Sequence, residues 1–278
     1  MILFFRTHYM KMKEILKTIL IKIHIYSLVK NAFAFSKKIK QRFKYIQTKE
    51  YRDFNKRRHF YSKFIKSGNL VFDIGANIGN RSEVFLALGA KVIAVEPQSN
   101  CINILKDKFK SNKDFHLIEK GMDSKKGKTT IQIANADTIS SMSDVWINKV
   151  KEGVFKNYTW DRTEFVEVDT LDSLIKEFGT PDFIKIDVEG FELNVLKGLT
   201  KQVNIISYEF MTPEFYKNAL DCLEYLETLG KIKCNFSWGE SMQLTSKEWV
   251  NSEQFKNILK DISNVKDFGD IYVRFVED

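Results

Sequence analysis

Short apolar runs alternate along the chain with segments whose apolar positions recur at helical spacing. Residues 70–72 and 92–95 are runs typical of buried parallel strands, and they are closed by Asp73 and Glu96. Between these runs, residues 75–88 form a glycine turn followed by apolar positions on one helical face. The pattern predicts one βαβ unit with an acid at the tip of each strand.

The alternation continues toward the C-terminal end and predicts a doubly wound α/β sheet whose last two strands can form a hairpin. Residues 135–162 interrupt it as a long insertion, which would lie over the site if it belongs to the same sheet edge. The further predicted strands are 115–118, 129–134, 164–168, 183–186, 205–209, 232–236 and 270–276, and the further predicted helices include 51–66, 99–109, 171–175, 213–229 and 240–262.

Charge is distributed unevenly along the chain. The net charge is +8, but residues 1–49 contain 12 Lys and Arg residues and one acid, which gives +11. The remainder contains 32 basic and 35 acidic residues, which gives −3, so we expect no nucleic acid as a partner. We therefore divide the chain into a basic helical extension, residues 1–66, and a domain of residues 67–278. The basic segment is predicted to pack on the domain or, as the alternative, to contact an anionic membrane peripherally.

Location is indicated by what the sequence lacks. Lys17, Lys22 and His24 interrupt the apolar positions of the extension, so no run of about 20 apolar residues is available for a membrane-spanning helix. No small-residue cleavage site indicates a signal peptide. The three cysteines are too few and too scattered for a disulfide framework or a cysteine-type zinc site. We expect a cytoplasmic protein, with peripheral membrane contact through the extension as the alternative.

The βαβ unit carries the strongest chemical signal. Glu96 lies 21 residues after Gly75, where a strand-terminal acid can accept hydrogen bonds from ribose hydroxyls. The turn lacks the three-glycine spacing that admits a pyrophosphate, and the Asp73 carboxylate would repel a phosphate. A ligand with a ribose and an amino group but no phosphate fits, and S-adenosylmethionine is such a ligand. The weaker alternative is a unit that binds no nucleotide and whose glycines serve only packing.

Three segments, FDIGANIGNRS, AVEP and FIKIDVEGFELNVLKGL, resemble the FkbM-type family of S-adenosylmethionine-dependent methyltransferases. The resemblance spans about residues 70–209, and KIDVEGFE is its most specific part. It implies a class I, mostly parallel, seven-stranded Rossmann-like sheet with an antiparallel last strand, and O-methylation as the usual chemistry. It also implies cofactor contacts, with the methionine end at Asp73, Gly75, Asn77 and Gly79, the ribose at Glu96, and the adenine at Met122 and Asp123.

Methyl transfer to a hydroxyl requires a general base near the transferred methyl group. The acids on central strand tips beyond the cofactor half are Asp187, Glu189 and Glu209, and we predict that they are catalytic. The turn 187–190 should lie one strand from the glycine turn and face the acceptor. Clustered carboxylates could instead hold a divalent metal ion that acidifies the acceptor hydroxyl. No histidine-rich spacing indicates a tightly bound transition metal.

The leading interpretation is an S-adenosylmethionine-dependent O-methyltransferase acting on a hydroxyl of a sugar, a glycan or a small molecule. A nicotinamide-dependent oxidoreductase with Glu96 on the adenosine ribose is the alternative enzyme, and the GxxxG turn disfavours it. A membrane-docked interaction protein with a degenerate catalytic body is the non-enzymatic alternative. The intact glycines and acids of the βαβ unit disfavour that interpretation.

Overall fold

The computed structural model describes residues 48–135, 140–151 and 156–276. The predictions for residues 1–47, including most of the basic segment, lie outside these residues. The compact unit that carries the sheet spans Lys56–Asp278, and the predicted domain division at residue 66 stays a prediction. In the described ranges, no helix is long and apolar enough to cross a membrane. All three cysteines are buried and free of disulfide bonds.

Helices and strands alternate through most of the described chain, as predicted. The helices are α1 (Lys49–Tyr61), α2 (Asn80–Ala87), α3 (Ser99–Phe109), α4 (Asp144–Lys151), α5 (Leu171–Phe178), α6 (Glu192–Leu196), α7 (Tyr216–Leu229) and α8 (Ser252–Asp261). The strands are β1 (Leu70–Ile74), β2 (Lys91–Val95), β3 (Phe115–Ile118), β4 (Gly121–Met122), β5 (Gly127–Ile133), β6 (Arg162–Asp169), β7 (Phe183–Ile186), β8 (Ile205–Thr212), β9 (Ile232–Trp238), β10 (Val250–Asn251) and β11 (Asp267–Phe275).

The main sheet has the strand order β10-β9-β11-β8-β7-β1-β2-β3. The five strands from β8 to β3 are parallel, and β11 is antiparallel to both β8 and β9. The α/β fold is therefore confirmed. The predicted strand count of seven is wrong, because the two-residue strand β10 pairs antiparallel with β9 and gives the main sheet eight strands within the described residues.

The strand β10 lies in a segment for which the sequence predicts a helix. The sequence predicts a helix over residues 240–262, whereas α8 begins at Ser252. The side chain of Asn251 accepts a hydrogen bond from the Gln254 N–H at 2.9 Å, and Gln254 bonds back to the Asn251 N–H, which is a capping box. The residues before this cap are left extended, and Val250 pairs with Cys234.

A smaller sheet of order β4-β6-β5 carries the predicted strands that flank the insertion. Strands β5 and β6 pair antiparallel from Gly127 to Ile133, so the two ends of the insertion are held side by side. The insertion itself contains the helix α4, which the sequence analysis did not predict. Its apolar residues Trp146, Ile147 and Val150 are buried.

The arrangement around β1 positions the site. Strand β1 pairs parallel with β2 on one side and with β7 on the other. The order in which the chain adds strands to the sheet therefore reverses at β1. An open α/β sheet binds its ligand at the carboxyl ends of the strands, at such a switch point. On α1, Phe60 and Tyr61 are fully buried, and their rings contact those of Phe85, Phe183 and Tyr272. The C-terminal end of α1 is thereby fixed on the sheet.

Candidate active site

A cavity of about 270 Å³ lies at the carboxyl ends of β1, β2 and β7, beside β8. Its position is the switch point at which this class of sheet binds ligands. Most of the residues predicted from sequence share its wall. These are Gly75, Asn77, Glu96, Met122, Asp187, Glu189 and Glu209.

The glycine turn is shaped by close packing as well as by the cavity. Gly75 has a φ of 79°, and a Cβ atom there would lie 1.9 Å from the carbonyl oxygen of Asp187. Gly79 also has a φ of 79°, and its Cβ atom would lie 2.6 Å from the Phe109 ring. Gly75 therefore lets the end of β1 approach the end of β7, while Gly79 lets the start of α2 approach α3. Packing accounts for Gly79, whereas Gly75 both packs and lines the cavity.

Glu96 is held by backbone donors at the end of β2. Its Oε2 accepts a hydrogen bond from the Asn77 N–H at 2.8 Å, and its Oε1 accepts one from the Gln98 N–H at 2.9 Å. Burial raises the pKa of Glu96 to about 7, although these two hydrogen bonds act in the opposite direction. A carboxylate oxygen can accept more than one hydrogen bond. Both oxygens therefore keep acceptor capacity for the two hydroxyls of a ribose.

Three predicted cofactor residues, Asp73, Gly79 and Asp123, are not among the described residues that line the cavity. Asp73 lies within β1 and is buried, and its Oδ2 accepts a 2.6 Å hydrogen bond from the Ser82 hydroxyl. Burial raises the pKa of Asp73 to about 6. The Asp123 carboxylate accepts hydrogen bonds from the Ser124 N–H at 2.6 Å and from the Asn194 amide at 3.4 Å. Asp73 and Asp123 thus form hydrogen bonds with neighbouring protein groups and do not line the cavity.

The three predicted catalytic acids come together. Carboxylate oxygens of Asp187, Glu189 and Glu209 lie within 4.8 Å of one another. Removal from water and the negative charge of Asp187 raise the pKa of Glu189 and of Glu209 well above the usual range. Carboxylates this close cannot all be ionised without a compensating cation. The protonated forms of Glu189 and Glu209 are therefore favoured relative to those of exposed glutamates.

A buried ammonium group adjoins this cluster. Lys185 is 1% exposed, and its Nζ donates to Asp187 Oδ2 at 3.1 Å, to Asp270 Oδ1 at 2.8 Å and to the Ile186 carbonyl at 3.3 Å. An ammonium group has three donors, so all of them have partners. Asp270 lies on β11 directly opposite Glu209. Lys185 is thus an ion-pair partner that fixes the orientation of the Asp187 carboxylate.

The insertion forms part of the cavity, although its flanking strands β5 and β6 belong to the smaller sheet and not to the edge of the main sheet. Ser140, Ser141 and Met142 line the wall, and the Ser141 hydroxyl donates to the Glu189 carbonyl at 2.7 Å. On α4, Trp146 packs so closely on Gly190 that a Cβ atom at Gly190 would lie 2.4 Å from its ring. The insertion therefore covers the acidic turn that follows β7.

Two arginines on the wall were missed by the sequence analysis. Arg57 comes from α1 and Arg81 from the first turn of α2. The Glu240 carboxylate, from the segment after β9, accepts from Arg57 Nε at 3.2 Å and from Arg81 Nη1 at 3.2 Å. Arg81 lies at the start of the helix that follows the glycine turn, and this position could have marked it as a candidate site residue. No motif marks Arg57 or Glu240.

Another acid of the KIDVEGFE segment has a structural place. The Glu192 side chain is buried at the start of α6, where it accepts from the Gly190 N–H and from the Asn218 amide, both at 3.0 Å. Burial raises its pKa to about 7. Glu192 ties the acidic turn to α7.

Comparison with known proteins identifies one family. The family described as "Methyltransferase FkbM domain" matches residues 73–238, which is more than half of the chain. No curated protein matches. Solved structures similar to this chain include a TehB-like SAM-dependent methyltransferase from Corynebacterium glutamicum (12% identity, 88% of this chain and 99% of that chain, TM-score 0.44). A precorrin-6y C5,15-methyltransferase from Geobacter metallireducens is also similar (12% identity, 78% and 87%, TM-score 0.41).

Proposed function

Because the chain belongs to the FkbM methyltransferase family, we propose that it is an S-adenosylmethionine-dependent O-methyltransferase acting on a hydroxyl of a sugar, a glycan or a small molecule. The observation that carries this proposal is the convergence on one cavity of four acids that were predicted from the sequence. Glu96 follows β2, and the other three are Asp187, Glu189 and Glu209.

The residues present fit S-adenosylmethionine. The Glu96 carboxylate has acceptor capacity for both ribose hydroxyls. The cluster of Asp187, Glu189 and Glu209 suits a cation and would repel the pyrophosphate of a nicotinamide dinucleotide. Met122 is a buried apolar part of the wall that an adenine could contact. When bound, S-adenosylmethionine supplies a methyl group that its sulfonium already activates.

The protein's own contribution is to position the acceptor and to remove its proton. Asp187 is the general base that we propose, because its side chain is 33% exposed and Lys185 fixes its orientation. The raised pKa values of Glu189 and Glu209 favour their protonated forms. In that form each can donate a hydrogen bond to an acceptor oxygen.

A divalent metal ion is the alternative way in which this cluster could act. Asp187, Glu189 and Glu209 each offer one carboxylate oxygen within 4.8 Å of the others, and oxygen ligands suit Mg²⁺ or Ca²⁺. An ion there would make a nearby hydroxyl more acidic.

Ligand-induced thermal shifts test the cofactor assignment. S-adenosylmethionine and S-adenosylhomocysteine should raise the Tm, and NAD should not, because a ligand that binds only the folded state stabilises it. Transfer of labelled methyl groups to sugar, lipid-linked sugar and small-molecule hydroxyls then tests the chemistry. A Tm shift with NAD alone would refute the proposal.

A further inference from the structure

Two guanidinium groups share a carboxylate on the cavity wall, and the proposed methyl transfer leaves them without a function. Glu240 accepts from Arg57 Nε and from Arg81 Nη1, each at 3.2 Å. Arg81 is largely buried, with 15% of its side chain exposed, whereas the Glu240 side chain is 51% exposed. The contacts of Glu240 demonstrate that these two groups can bind one carboxylate together.

Both guanidinium groups keep donors available. Among the described residues, Arg57 donates only through Nε, so its two terminal nitrogens remain for a ligand. The Nε of Arg81 is buried and has no hydrogen-bond partner in the described part of the chain. A buried donor without a partner is costly. Glu240 engages both terminal nitrogens of Arg81, Nη1 at 3.2 Å and Nη2 at 2.5 Å. A second anionic group at this end of the cavity would therefore meet the terminal nitrogens of Arg57 beside the charge of Arg81, with Glu240 still in place.

The charges on the wall indicate which group that is. Besides the two arginines, Lys120 is the cationic residue on the described wall. Its Nζ lies 3.6 Å from Asp169 Oδ2 and 3.8 Å from Glu167 Oε2, and neither of these acids lines the cavity. The proposed cofactor has one anionic group, its α-carboxylate, and a guanidinium group binds a carboxylate in a bidentate manner. Arg81 also lies in the first turn of α2, directly after the glycine turn.

We propose that Arg57 and Arg81 form a carboxylate-binding subsite for the amino-acid part of S-adenosylmethionine, with Glu240 as the residue that holds both side chains in position. This inference rests on the proposed function. It gives α1, which lies outside the family match, a direct role in cofactor binding. A carboxylate on the methyl acceptor is the other source of the same chemistry.

Calorimetry with two ligands tests this subsite. S-adenosylhomocysteine carries the amino-acid part, whereas 5′-methylthioadenosine has the same thioether nucleoside without it. Arg57→Gln should weaken S-adenosylhomocysteine about tenfold or more, the scale of a hydrogen bond to a charged group, and should leave 5′-methylthioadenosine unchanged. Arg58→Gln is the matched control, because Arg58 is the next residue of α1 and is exposed. It should leave the affinity for both ligands unchanged.

Each contrary outcome has a separate meaning. Wild-type affinity for S-adenosylhomocysteine in Arg57→Gln would overturn the subsite and leave an acceptor carboxylate as the remaining source. Equal weakening of both ligands would also overturn it, because Arg57 would then act on the shape of the cavity. Arg57→Lys, which keeps the charge but loses the fork geometry, should be intermediate for S-adenosylhomocysteine. A wild-type protein that binds neither ligand would instead refute the proposed function.

Discussion

Glu96 should make the affinity for an adenosine ligand depend on pH. The residue is 1% exposed, and burial raises its pKa to about 7 against the effect of its two backbone hydrogen bonds. A ribose hydroxyl donates a hydrogen bond most strongly to an ionised carboxylate. Binding through Glu96 therefore requires that this group has lost its proton, and affinity should increase as the pH rises through the pKa.

The size of the effect follows from the pKa. With a pKa of about 7, about one tenth of the protein has an ionised Glu96 at pH 6, and about nine tenths at pH 8. Affinity should therefore rise about tenfold between these pH values, which corresponds to about 1.4 kcal/mol. At pH 6, where about nine tenths of the protein has a protonated Glu96, binding should also release close to one proton.

Calorimetry with 5′-methylthioadenosine is the appropriate assay, because this ligand has no group that ionises between pH 6 and pH 8. Glu96→Gln keeps the size of the side chain and removes its titration, so this variant should bind more weakly and show a flat profile. Glu119→Gln, at an exposed acid after β3, should retain the wild-type slope. An equally steep profile in Glu96→Gln would refute the reasoning, since another group would then be titrating.

Three further predictions concern the rest of the site. Asp187→Asn should keep S-adenosylhomocysteine affinity within about tenfold while methyl transfer falls by about 10² or more; loss of wild-type transfer on adding a chelator would indicate a metal in the cluster. Gly190→Ala should lower the free energy of unfolding by about 2 kcal/mol or more, because Gly190 has a φ of 84° against Trp146, whereas Gly127→Ala should be nearly neutral in the same denaturant titration. Glu96 and Glu192 both have a pKa raised by burial to about 7, so each stabilises the fold at low pH and loses this contribution as the pH rises through about 7. Without ligand, the Tm should therefore be higher at pH 6 than at pH 8. The free energy of unfolding should be larger at pH 6 by on the order of 1 kcal/mol per group.

The parts of the site that sequence could predict are those fixed by neighbouring strands. Glu96 and Asp187 follow β2 and β7, which pair with β1 on either side. Because the carboxyl ends of parallel strands meet at one edge of the sheet, their proximity follows from the order of strands. Asp73 was predicted by the same argument but does not line the cavity, for a local reason. It lies inside β1, one residue before its end, where it bonds to Ser82 on α2.

The parts that sequence could not predict depend on tertiary packing. Arg57 reaches the cavity because Phe60 and Tyr61, on the next turn of α1, are buried against rings of the sheet. Glu240 reaches it from the segment after β9, in the antiparallel part of the main sheet. Neither approach has a local signature in the chain. The helix α4 was missed for a similar reason, since its eight residues are stabilised by the contact of Trp146 with Gly190.

The raised pKa values of Glu189 and Glu209 affect which ligand the cavity binds. They also affect where the proton of the acceptor hydroxyl goes after methyl transfer. Burial and the negative charge of Asp187 raise the pKa values of Glu189 and Glu209 well above the usual range, so a cationic group beside the cluster is favoured. A cation beside the cluster lowers these pKa values, and its neutralisation raises them again. Methyl transfer from a sulfonium leaves a neutral thioether and frees one proton from the acceptor hydroxyl. Asp187, the proposed base, takes that proton, and the neighbouring carboxyls of Glu189 and Glu209 then no longer face a positive charge.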